Sequence, residues 1–105
     1  MMELLPIPCG YTIYIEDDWL LEQSGDLLAT GTSRKRPLGM YAVFRNLAYH
    51  GTPAVRVNVY KSGVVDVFSS GVDLHFRYYP IKYVNWCLRA VMYEACKEKA
   101  RRGVV

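Results

Sequence analysis

Amides are scarce in this 105-residue sequence: Gln23 is the only glutamine, and asparagine is confined to Asn46, Asn58 and Asn85. Scarcity of these heat-labile side chains is one trait of proteins from hot environments. Histidine is almost as rare, with His50 and His75 alone. The three cysteines, Cys9, Cys87 and Cys96, lack the close paired spacing of a zinc site or a redox motif. An odd cysteine count also argues against a secreted disulfide framework. No Gly-x-Ser-x-Gly elbow and no phosphate-cradling glycine loop occurs. Little is left from which to build catalysis, so the expectation is a non-enzymatic protein with no cofactor and no metal. A basic start and a long apolar run are missing too, so neither a signal peptide nor a membrane span is expected, and a soluble cytoplasmic protein is the default.

Positive charge is missing from the first third. No Lys or Arg precedes Arg34, while Glu3, Glu16, Asp17, Asp18, Glu22 and Asp26 all fall there. From Arg34 onward, 13 basic residues face only Asp66, Asp73, Glu94 and Glu98, so the overall +3 conceals a divided chain. Such division marks a basic surface for an anionic partner, unless the acidic third folds back and neutralises it. The triplet Glu16-Asp17-Asp18 invites a metal reading, but adjacent carboxylates in a strand point to opposite faces and no partner pattern exists, which favours a solvated turn.

What is present is half hydrophobic and rich in tyrosine, enough for one domain over 1–105 with a sizeable core. Residues 1–10 are too proline-broken for a helix and read as an extended apolar arm. Tyr11 to Glu16 alternates as a strand with Ile13 and Ile15 on one face. For Asp18 to Gly25, a short capped helical turn competes with a continuing strand. Asp26 to Thr30 is another candidate strand, 31–39 is a basic loop holding Arg34-Lys35-Arg36, and Met40 to Tyr49 reads as a strand with Arg45-Asn46 at a bulge.

Residues 54–79 form a three-strand meander whose register follows from parity. A three-residue loop at Lys61-Ser62-Gly63 sets Val59 opposite Val65 and Val57 opposite Val67, with Gly63 free to turn left-handed. A two-residue Ser70-Gly71 loop then sets Val67 opposite Leu74 and Val65 opposite Phe76. The other face carries Arg56, Phe68 and Asp73 in one row, Asn58, Asp66 and His75 in the next, and Tyr60, Val64 and Arg77 in the third.

Residues 80–102 read as a helix opened by Pro80 and ended near Gly103. At about 100° per residue, Ile81, Val84, Cys87, Leu88, Val91, Met92 and Ala95 share the arc that lies on the valine face. Cys87 and Cys96, nine residues apart, point to opposite sides and read as small apolar groups. A second stripe, Tyr83, Trp86, Ala90 and Tyr93, lies nearly opposite the arc. It suits a partner, a second copy of the chain, nucleobases, or the N-terminal arm. The expected fold is therefore α+β: an antiparallel sheet of about five strands with one long C-terminal helix packed on one face.

Cations that track phosphates and rings that stack on bases hold single strands, often across an exposed sheet. Arg34, Lys35, Arg36, Arg56, Tyr60, Phe68, His75 and Arg77 supply both kinds of group, although Asp66 and Asp73 on the same face would repel phosphate. The competing reading of this face is a solvated surface with cross-strand ion pairs, His75 beside Asp66 among them. A meander followed by one long helix resembles the Pur-repeat and transcriptional-coactivator families in the order of elements, which implies binding of single-stranded DNA. The strings Val59-Tyr60-Lys61-Ser62-Gly63 and Phe68-Ser69-Ser70-Gly71 are similar to strand-turn strings of the TATA-binding-protein family. The leading expectation is binding of single-stranded DNA or RNA. The alternative is an interaction module, such as a viral or accessory subunit, that homodimerises through Tyr83, Trp86 and Tyr93.

Overall fold

The structure, a computed structural model, describes residues 2–25, 38–49 and 54–101. It is α+β. Strands β1 (Met2–Ile7) and β2 (Tyr11–Glu16) form an antiparallel hairpin. Strands β3 (Trp19–Gly25), β4 (Leu38–Asn46), β5 (Val55–Tyr60), β6 (Val64–Ser69) and β7 (Phe76–Pro80) form an antiparallel sheet in sequence order. A 3-10 turn, Ile81–Tyr83, leads into helix α1 (Val84–Arg101), which packs against the sheet.

Alternation does the expected work in the centre. Val55, Val57, Val59, Val65 and Val67 are fully buried on one face, against Val84, Cys87, Leu88, Val91, Met92 and Ala95 of α1 and Ile81 before it. Val57 opposes Val67 and Val59 opposes Val65. Gly63 closes the loop at a φ of +89°, which a side chain would strain. Its amide bonds Tyr60 O and its carbonyl accepts from Ile81 N–H, so one glycine ties the β5–β6 turn to the start of the helix.

The next connection departs from parity. Residues 72–75 are not strand, and β7 begins at Phe76. Val67 opposes Phe76 rather than Leu74, and Val65 opposes Tyr79 rather than Phe76. The predicted rows joining Asp73 to Phe68 and His75 to Asp66 therefore do not form. At Val67 the displacement is two residues, which leaves Leu74 and Phe76 on their original face and packed against the core; at Val65 it is three, which exchanges the faces of Tyr78 and Tyr79.

Elsewhere, 19–25 is the strand rather than the helical turn, and Leu38 and Gly39, expected in the loop, belong to β4. Arg45 and Asn46 pair regularly with Leu20 and Trp19, and the bulges fall at Leu21/Gln23 and Leu38/Met40 instead. The candidate strand 26–30 and the loop cations Arg34, Lys35 and Arg36 lie outside the described residues.

The N-terminal arm is a strand of the hairpin despite its prolines. Asn85, in the first turn of α1, accepts from Tyr14 N–H at 2.9 Å and donates to Thr12 O at 2.8 Å. Those groups of β2 therefore point away from β1, and Pro6, opposite Thr12, sits where no ladder bond is required of its nitrogen. Ile7, Ile13 and Ile15 extend the core beside Trp19 and Phe44.

Candidate nucleic-acid interface

The sheet face turned away from α1 carries a groove of about 320 Å³ between β5, β6 and β7, lined by Asn58, Asp66, Phe68, His75, Arg77 and Tyr78 among others. Arg56, His75 and Arg77 are exposed, and Phe68 is half-buried. Arg56 stands directly across from Phe68, and Asn58 across from Asp66. Tyr60, expected among the exposed rings of this face, is only 6% exposed and forms a wall of the groove.

A local strain fixes this wall. Between Val65 and Val67 the pairing with β7 slips, and Tyr78 adopts a left-handed backbone at φ +53°, a conformation that costs a residue with a side chain roughly 1–2 kcal/mol. Asp66 offsets the cost by accepting Tyr78 N–H at 2.8 Å on one oxygen and the Tyr60 hydroxyl at 2.7 Å on the other. The Tyr60 and Tyr78 rings meet edge-on with centroids 5.4 Å apart. Burial first, and then the bond to Asp66, push the Tyr60 phenol well above its ordinary range.

Both acids expected on this face are thereby changed. Asp66 is committed to internal bonds, and Asp73 has moved to a hollow beside the helix that it lines with Glu94 and Glu98. Of the acidic first third, the β3 segment lies at the edge of the sheet opposite β7. There Glu22 pairs with Arg45, and Asp18 accepts from Asn46.

The helix carries a second exposed surface. Tyr83, Trp86 and Tyr93 are 43%, 54% and 68% exposed, and Ala90 between them is half-buried. The N-terminal arm does not cover them. Tyr79, which sequence reasoning did not single out, joins them because the Tyr78 bulge turns it to the helix side. Its ring stacks against Trp86 at 6.4 Å and meets Tyr83 edge-on at 6.0 Å, with Phe76 wedged against Tyr79 and Trp86 at 5.1 and 5.3 Å.

Cys87 is buried and Cys96 is half-buried beside Asn46. Burial raises the pKa of both thiols, Cys87 to about 11. Among the described residues, no three His, Cys, Asp or Glu side chains are grouped to hold a metal ion, and no helix is long and apolar enough to cross a membrane. No protein-family model, curated protein or solved structure matches this chain.

Proposed function

We propose that the chain is a small non-enzymatic protein that binds single-stranded DNA or RNA across the groove of β5, β6 and β7. The observation that carries this reading is the engagement of Asp66 by Tyr60 and Tyr78, which commits both its oxygens to internal bonds and leaves Arg56 and Arg77 as the exposed cations beside Phe68 and His75. Arg56 and Arg77 contact phosphates, and the Phe68 ring and the His75 imidazole take a base. Arg34, Lys35 and Arg36 are candidates for further phosphate contacts on their charge alone.

Anisotropy of a labelled dT oligomer and its rU counterpart, titrated across salt, tests this. Affinity falls as salt rises, and Arg56→Ala and Arg77→Ala each reduce the logarithmic salt slope by about 0.7, the value for one phosphate contact on a single strand. Absence of binding at about 50 mM salt would remove the proposal.

The exposed aromatic face of α1 favours a second reading, an interaction module that dimerises through Tyr83, Trp86 and Tyr93. Lys82 lies over the Tyr83 ring and Lys97 over the Tyr93 ring, and two identical copies would bring these cations toward one another.

A further inference from the structure

We infer that Tyr79, Tyr83 and Trp86 form a second base-stacking platform, which receives the same single strand after it passes around the β7 end of the sheet. The inference rests on the proposed binding at the groove and adds to it a defined path and a separate set of contacts.

The three rings surround a largely apolar hollow of about 330 Å³. They are already oriented, because Phe76 packs against Tyr79 and Trp86 from beneath, so a ligand need not order them on arrival. Lys82 lies 5.1 Å from the Tyr83 ring centre and Lys97 lies 6.0 Å from that of Tyr93. Flat exposed rings interleaved with cations fit a polyanion that carries flat bases.

Pairing of two copies through β7 is poorly served by this geometry. The strand has only five residues, is bulged at Tyr78 and ends in Pro80, all features that discourage edge-to-edge pairing. Its position at the edge serves a wrapping ligand instead. Arg77 lines the groove and Tyr79, two residues on, lines the hollow, a step of about 7 Å along a strand.

The two tryptophans provide the readout, since Trp19 is 4% exposed and Trp86 54%. A dT oligomer of about 16 nucleotides, long enough to span a single binding domain, quenches Trp86 emission, and the quenching is absent in Trp86→Phe. Trp86→Ala and Tyr83→Ala each weaken binding about tenfold, in the range of one lost stacked base. They leave the salt slope nearly unchanged, whereas Arg56→Ala and Arg77→Ala change that slope. Tyr83→Ala keeps the test open should Trp86→Ala fail to fold. Salt-sensitive binding that depends on Arg56 and Arg77, but neither quenches Trp86 nor responds to Tyr83→Ala, overturns the platform and leaves the groove standing. No binding at low salt overturns both. A concentration-dependent dimer that Trp86→Ala dissociates assigns the face to a second copy and also overturns the platform.

Discussion

Strand β6 is held by its two neighbours in different ways. Toward β5 the ladder is regular over five successive residue pairs, each valine meeting a valine at the centre, and a glycine takes the one left-handed position at the turn. Toward β7 the pairing is shorter and slips, and a tyrosine carries the left-handed backbone. On that side a carboxylate and a phenol replace part of the ladder. The first junction is secured by backbone and burial, the second by a polar side chain that holds a strained residue. Strain of this sort concentrates at binding sites, and here it shapes the groove on one side of the sheet and turns Tyr79 to the other.

The largest effect removes the foundation the two junctions share. Leu88 is fully buried under the valines, so Leu88→Ala should cost about 2–5 kcal/mol. Urea unfolding should show the loss with both junctions failing in one transition; a cost below about 1 kcal/mol would mean that the helix does not bear on the sheet in this way. A smaller effect separates the junctions. Asp66→Ala removes two acceptor bonds from a part-buried carboxylate and should cost about 2–3 kcal/mol. Hydrogen exchange should speed up at Arg77, Tyr78 and Tyr79 while Val57 and Val67 keep their protection. Equal loss on both sides of β6 would show that Asp66 supports the sheet as a whole.

The same contrast explains what the sequence allowed to be read. Valine parity settles β5–β6 because a one-residue slip there would turn every valine into water. Parity cannot distinguish the expected β6–β7 register from one displaced by two residues, since Leu74 and Phe76 keep their face in either. The bulge is equally hidden, because Tyr78 and Tyr79 are the same residue type and exchanging their faces leaves no trace in the pattern. Tyr60 was correctly assigned to the far face, and its burial depends on a ring 18 residues away in the chain. The helix arc was fully legible from its spacing. The hairpin was not, because Pro6 in a strand counts against pairing unless its nitrogen is known to face away from the partner. Within the candidate site, Arg56, Phe68, His75 and Arg77 could be named from residue type and parity. Tyr79, and the engagement of Asp66, became visible only with the slipped register.

The smallest effect sharpens the comparison through pH. Tyr60→Phe leaves Asp66 with Tyr78 N–H alone and should cost about 1 kcal/mol at neutral pH, the loss of one hydrogen bond. The phenol ionises near 10 when unfolded, and burial and Asp66 hold its folded pKa above that. The folded chain therefore keeps a proton that the unfolded chain releases, so the contribution is complete below pH 10 and is lost as pH rises beyond it. Cys87 behaves with the same sign at the shared core, its contribution declining between 9 and about 11. Urea midpoints measured from pH 8 to 12 should fall in two overlapping stages, and Tyr60→Phe should flatten the part above 10 while keeping the onset near 9. Cys87→Ala should make the fall that begins near 9 shallower without abolishing it, because Cys96 is raised as well, and should keep the part above 10. If Tyr60→Phe leaves the high-pH slope as steep as in the parent chain, the phenol is not held by Asp66 in solution, and the β6–β7 junction depends on something other than that carboxylate.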